Sequence, residues 1–204
     1  IKKTKIEQKH RLQDGEFVTI TRSGNHIYKV NDGPPMSSVT TLAKYLDGDA
    51  FGAGMGWATK MIRENDGDTT APRRSSDKSM QIGTDLHEAI EEYIQHGTIS
   101  ESELFLTWFH AIGKKRTWLT SEQLIYHPKY KYGGTADALS EESDGQTAIW
   151  DWKTKDSYSF DKYGSSPKEH AQLGAYARAY HSMGSEFRPT AGYICSKHRM
   201  QRTP

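Results

Sequence analysis

The chain has 204 residues, 34% hydrophobic and 26% charged, with a formal net charge of +1. That length suits one domain with room for an appendage, and the composition gives a core of moderate size with long polar connections. No run of about 18 or more apolar residues occurs, which excludes a membrane-spanning helix, and the single cysteine, Cys195, excludes a disulfide framework, a cysteine-based zinc site and a four-cysteine iron–sulfur cluster.

In chain order, residues 17–30 alternate and turn at Ser23-Gly24-Asn25, which predicts a hairpin. Prolines, then serine and threonine, then apolar spacing over 34–46 predict a helix starting near Ser38. A second helix is expected within 50–65, beginning after the glycines. Residues 66–79 are polar with Gly and Pro and read as a mobile loop. From Met80 to Gly97 the apolar residues Ile82, Leu86, Ala89, Ile90, Tyr93 and Ile94 share one helical face, with Gly97 as the C-cap. Ser100 with Glu103 reads as a capping-box start to a helix over 100–116. Strands are expected at 122–127, 133–140 and 147–153, and a helix at 166–184 opens on a proline and ends at a glycine. Residues 190–196 read as the closing strand. The order is that of a mixed α/β layer architecture. Residues 1–79 form an N-terminal hairpin, helices and loop, and 80–204 a core, all within one domain.

The stretch TAIWDWK (147–153) carries the chemistry. Side chains two apart on a strand share a face, so Asp151 and Lys153 point together while Trp152 points into packing. Asp137, on the preceding strand after Gly133 and Gly134, runs antiparallel beside them. Two neighbouring carboxylates repel, and a hard divalent cation such as Mg²⁺ or Mn²⁺ removes that repulsion. A lysine beside such an ion positions water or stabilises charge on phosphate oxygens, and the two carboxylates keep it protonated. The Asp151–Lys153 spacing alone equally fits an ion pair at a strand end. On the helix at 80–97, His87 and Glu91 are i and i+4, so the imidazole can reach a metal or lie on an ordinary helix face. Gln172 and Tyr176 share a face on the later helix and can hydrogen-bond a phosphate or a base. Basic runs at 1–11, 72–74, 113–116, 127–132 and 196–202 surround acidic runs at 87–92 and 141–144, a pattern of acidic centre and basic walls that also fits a mixed surface.

Gly83-Thr84 with His87, Gly134-Thr135 with Asp137, Asp151-Trp152-Lys153-Thr154, and Gln172 with Tyr176 together resemble, in order and spacing, the RecB-type branch of the PD-(D/E)XK nucleases. Glu122 stands where that family often has a Glu, and the Pro-Ser-Val-Thr segment around Ser38 to Thr40 is similar to the subgroup of the mitochondrial genome maintenance exonuclease and its phage and bacterial relatives. The resemblance implies a restriction-endonuclease-like core with a central mixed sheet flanked by helices. It implies a metal-dependent exonuclease on single-stranded DNA, acting in replication, recombination or repair. Catalysis falls to Asp137, Asp151, Lys153 and His87, with His87, Asp137, Asp151 and the Trp152 carbonyl around one or two Mg²⁺ or Mn²⁺ ions. Gln172, Tyr176, Ser38, Thr40, Thr154 and Glu122 fall on the substrate side, although a helix N-cap explains Ser38 equally well. Lys114, Lys115, Arg116, Arg73 and Arg74 are candidate phosphate partners, and Trp57, Trp108 and Tyr132 candidate stacking platforms. A structure-specific endonuclease or a silent nucleic-acid-binding module are the competing readings. Neither a membrane nor an iron–sulfur cluster is implied. The setting is intracellular: the cytoplasm of a bacterial or phage-infected cell, or mitochondria in a eukaryote.

Overall fold

The computed structural model describes residues 5–12, 14–24, 26–46, 50–142, 145–155, 164–184, 189–195 and 200–203, with the backbone alone for 50–53, 189–195 and 200–203. Strands β1 (Lys5–Arg11), β2 (Phe17–Ser23) and β3 (Ile27–Val30) form an antiparallel sheet. The β2–β3 hairpin follows the alternation in the sequence. Strand β1 adds a third strand that its lysine-bearing composition conceals: its positions alternate strictly between exposed and half-buried, and none is fully buried. The chain then enters the short β4 (Ser37–Ser38) and α1 (Val39–Ala43).

Helix α2 (Ala50–Glu64) runs through the glycines rather than starting after them. Helix α3 (Ala71–His96) begins nine residues before Met80, which corrects the loop expected over 66–79. Pro72 lies in the first turn, where its missing N–H is not needed. Arg74 pairs with Asp68 at 2.6 Å and Arg73 with Asp77 at 3.7 Å, so the polar residues staple the helix start. Gly97, at φ +73°, ends α3 as expected. Helix α4 (Glu103–Ala111) is capped by Ser102, whose Oγ accepts from Phe105 N, and not by Ser100.

The main sheet has the order β5–β6–β7–β8–β9, from β5 (Thr117–His127), β6 (Tyr132–Glu141), β7 (Thr147–Trp152), β8 (Pro189–Cys195) and β9 (Met200–Thr203). Strand β9 lies beyond the strand expected to close the sheet. Helix α5 (Pro167–Ser182) opens on a full capping box between Ser166 and Glu169. Its inner face joins Leu173, Tyr176, Tyr180 and Met183 to Leu124, Tyr126 and Leu139 of the sheet and to Ile20 and Tyr28 of the N-terminal sheet. On the other face, Leu86 and Ile90 of α3 and Phe105 and Trp108 of α4 pack on Trp150 and Trp152. Ring centroids in this aromatic cluster lie 5.1 to 6.0 Å apart, each contact adding about 0.5–1.5 kcal/mol beyond area burial.

One irregularity of the sheet positions the groove. Along one edge, β6 pairs first with β4 in parallel at Tyr132 and Gly133, then with β7 antiparallel from Ala138 onward. Residues 134–137 fall between these two partners. Past the Ala138–Trp150 pair, β7 leaves β6 and keeps pairing only with β8, at Asp151 and Trp152. The sheet therefore splits open at its end, between α3 and α5.

Candidate active site

The split leaves Asp137 and Asp151 opposite one another beyond the last β6–β7 pair. Both line one groove of about 900 Å³ that also takes His87, Trp152, Lys153 and Gln172. The backbone N–H of Trp152, freed from the ladder, donates instead to Asp137 Oδ2 at 2.5 Å. His87 reaches across from α3, with Nδ1 3.7 Å from Asp137 Oδ1 and Nε2 3.1 Å from the Trp152 carbonyl.

Burial pushes the Asp137 carboxyl up, and despite opposition from His87 its pKa reaches about 6, with the charge of Asp151 adding to the rise. Asp151 is 2% exposed. Its Oδ1 accepts from Gln172 Nε2 at 3.1 Å, and its Oδ2 lies against the Lys153 ammonium without an aligned hydrogen bond. Burial alone lowers the pKa of Lys153, but Asp151 and then Asp137 outweigh it, so the ammonium stays charged. The same Gln172 amide donates to the Tyr176 hydroxyl at 2.7 Å. Burial first, then both aspartates, hold that hydroxyl well above the ordinary tyrosine range, so it remains neutral and able to donate.

Of the expected substrate-side residues, Thr40, Glu122, Thr154, Gln172 and Tyr176 line the groove. Ser38 does not. It is buried, its Oγ accepts from Thr41 N at 3.0 Å and donates to Thr41 Oγ1 at 2.8 Å, and the α1 cap consumes it. The glycines before Asp137 admit protein side chains: a Cβ on Gly133 would fall 2.7 Å from Tyr28 Cβ, and one on Gly134 2.5 Å from Tyr176 Cε1. Trp108 and Tyr132 are buried and present no stacking face, whereas Trp57 is 45% exposed. Arg73, Arg74 and Arg116 are engaged with Asp77, Asp68 and Glu142.

Sequence reasoning missed the groove's far wall. Arg22 of β2 donates to Glu122 Oε2 at 2.8 Å and to Thr135 Oγ1 at 3.1 Å, and Tyr28 shares a hydrogen bond with Thr135 at 2.9 Å. Glu122 sits inside β5 at φ +49°, a left-handed conformation that costs about 1 kcal/mol or more for a side-chain-bearing residue. Gln8 of β1 braces it: its Nε2 donates to the Glu122 carbonyl at 2.9 Å while its Oε1 accepts from Leu124 N at 2.7 Å. The N-terminal sheet is thus bolted to the groove through a carboxamide, a guanidinium and the Tyr28 hydroxyl. A positive φ and a cross-sheet pair a hundred residues apart leave no local pattern to read.

Among the solved structures similar to the chain are three of low identity. The LHK-Exo structure in complex with dAMP is 15% identical with a TM-score of 0.45, covering 82% of this chain and 75% of that one. The structure of SSO0001 is 19% identical with a TM-score of 0.35, covering 72% and 61%. The alkaline exonuclease LHK-Exo from Laribacter hongkongensis is 14% identical with a TM-score of 0.35, covering 56% and 65%. No curated protein matches significantly. The family model of the PD-(D/E)XK nuclease superfamily matches residues 60–203, well over half of the chain. With the mixed sheet flanked by helices and the split at its end, that match makes the chain a member of the PD-(D/E)XK nuclease superfamily.

Proposed function

We propose that the chain is a divalent-metal-dependent deoxyribonuclease that hydrolyses single-stranded DNA from an end, in replication, recombination or repair. The observation that carries this reading is the opposition of Asp137 and Asp151 across the β6–β7 split, with Lys153 charged against Asp151 in an open groove.

The donor set fits a hard cation. Asp137, Asp151 and the Trp152 carbonyl are oxygen donors facing one space, and His87 stands at their edge. These residues would hold Mg²⁺ or Mn²⁺, as nucleases of this superfamily generally use divalent metals. Among the described residues no three His, Cys, Asp or Glu side chains close into a cage. When bound, the ion supplies positive charge to the scissile phosphate and acidifies water beside it.

The chain's own groups do the rest. Lys153 carries a fixed positive charge and three donors to the phosphate oxygens and the attacking water. Gln172 Nε2 donates to both Asp151 and Tyr176 and so orients the two side chains together, and Tyr176, Thr40 and Thr154 line the same groove. Glu122, tied to Arg22, sets the opposite wall.

The test follows end-labelled linear and covalently circular single-stranded DNA in Mg²⁺ or Mn²⁺, for the wild type, Asp151→Asn and Lys153→Ala. The linear strand is consumed, the circle persists, and each variant loses at least about 100-fold in rate. Circles opened as fast as linear strands are cut would make the enzyme an endonuclease. Equal turnover in all three proteins would leave a groove without chemistry.

A further inference from the structure

Many basic side chains in the described structure meet a carboxylate: Arg22, Arg74, Arg116, Lys153 and Lys155 are all paired. The turn between β5 and β6 is different. Lys129, Tyr130 and Lys131 stand exposed there, and Arg178 of α5 is exposed beside them. None of these three cations pairs with a carboxylate among the described residues. The buried His127 beneath senses the same field: burial, then Arg178 and Lys129, push its imidazole down, and no carboxylate opposes them.

Tyr130 is 53% exposed, with Lys129 Nζ and the Arg178 guanidinium each 5.5 Å from its ring centroid. The turn that carries it is braced from within. Tyr130 N donates to His127 Nδ1 at 3.3 Å, Lys131 N donates to the His127 carbonyl at 2.9 Å, and the His127 and Tyr130 rings lie 4.6 Å apart. His127 Nε2 in turn meets Ser182 Oγ of α5 at 3.2 Å. A fixed aromatic ring among three unpaired cations combines the two elements that bind single strands: a stacking face and phosphate partners.

We infer that this platform is a second binding site for the nucleic-acid strand, taking bases on Tyr130 and phosphates on Lys129, Lys131 and Arg178. The inference rests on the nuclease reading of the groove. The two sites share elements: Arg178 lies six residues, about 9 Å, beyond Gln172 on α5, and β6 runs about 17 Å from Tyr132 to Asp137. At about 3.4 Å per stacked nucleotide the platform engages the strand roughly three to five nucleotides from the hydrolysed bond. Long strands therefore bind through both sites and a trinucleotide through the groove alone.

The experiment measures binding of labelled dT20 and dT3 in EDTA at several salt concentrations, and hydrolysis of both in Mg²⁺. It compares the wild type, Tyr130→Ala, Tyr130→Trp and the triple variant Lys129→Ala/Lys131→Ala/Arg178→Ala. The triple variant loses at least about tenfold in dT20 affinity at 0.1 M salt, and its plot of log affinity against log salt becomes shallower by about 2. Tyr130→Ala weakens dT20 binding without changing that slope, Tyr130→Trp restores it, and dT3 turnover is the same in every variant. Arg178→Ala alone, expected to make the slope shallower by about 0.7, carries the test if the triple variant does not fold. Unchanged dT20 affinity and slope would overturn the inference. A wild type that hydrolyses neither oligonucleotide, while the variants still bind dT20 more weakly, would sink the nuclease reading and leave the platform standing.

Discussion

Gln172 donates its side-chain amide to Asp151 Oδ1 at 3.1 Å. Asp151 is almost fully buried, and the other side of its carboxylate faces Lys153. The amide is thus the neutral half of the support for a buried charge, and it also fixes which way that charge points. Replacing Gln172 with leucine keeps the volume and removes the donor. Stability is expected to fall by about 1–3 kcal/mol, measured by denaturant unfolding, and the rate of DNA hydrolysis to fall about tenfold or more. An unchanged rate in a destabilised variant would reduce the bond to a structural role.

Asp137 supplies a pH signature. Its folded-state pKa, about 6, lies above the ordinary 3.8. The folded state therefore binds the extra proton. The resulting stabilisation is complete below about pH 4 and is lost as pH rises through 6, amounting to roughly 3 kcal/mol at most. Asp137→Asn cannot ionise and can still accept from Trp152 N. In EDTA it is expected to be more stable than the wild type at pH 7.5, and the gap is expected to close towards pH 4. Adding Mg²⁺ or Mn²⁺ raises the wild-type melting temperature more than that of the variant. A gap independent of pH would show that Asp137 is not held protonated by its surroundings.

The opposition of Asp137 and Asp151 was legible because period-2 alternation and a short turn fix the register of a hairpin. The face of α5 was legible for the corresponding reason, with Gln172 and Tyr176 one turn apart. What stayed hidden depends on distant partners. The first turns of α3 look like a loop because proline, serine and aspartate favour turns locally, and only Asp68, Asp77 and the buried Ala71 show why they are helical here. Ser38 fitted both a contact to the DNA backbone and a helix N-cap, and the structure shows the cap, which local sequence alone could not choose. Arg22 and Gln8 meet Glu122 across more than ninety residues, and the left-handed backbone of Glu122 has no signature in a residue type that seldom adopts it.

Gly134 tests how tightly the groove floor is packed. A Cβ there would stand 2.5 Å from Tyr176 Cε1 and 3.2 Å from Val39 Cγ2. The tyrosine ring must move, and its hydroxyl then leaves Gln172. Gly134→Ala is expected to cost about 1–3 kcal/mol of stability and to slow hydrolysis. In a Tyr176→Leu background the ring is gone, so adding Gly134→Ala costs distinctly less, a non-additivity that a double-mutant cycle measures. Strictly additive costs would mean that the ring is not what excludes the methyl group.

Lys155, just past the end of β7, clasps the start of α5. Lys155 Nζ donates to Glu169 Oε2 at 2.7 Å and to the Gly164 carbonyl at 3.1 Å. Glu169 Oε2 also accepts from Ser166 N at 2.8 Å, completing the capping box. Glu169 therefore does two jobs, one that needs a charge and one that needs only an acceptor. Glutamine serves a capping box as well as glutamate, so Glu169→Gln removes the charge and leaves the cap, whereas Glu169→Ala removes both. The difference between the two variants is expected to be about 0.5–2 kcal/mol, the worth of a cap. Because Gln172 lies one turn beyond Glu169, loosening the clasp lets Gln172 drift from Asp151. Glu169→Gln is then expected to lower kcat while leaving KM for a long single strand close to the wild-type value. A raised KM with kcat intact would place the clasp in strand binding instead of in alignment of the carboxylates.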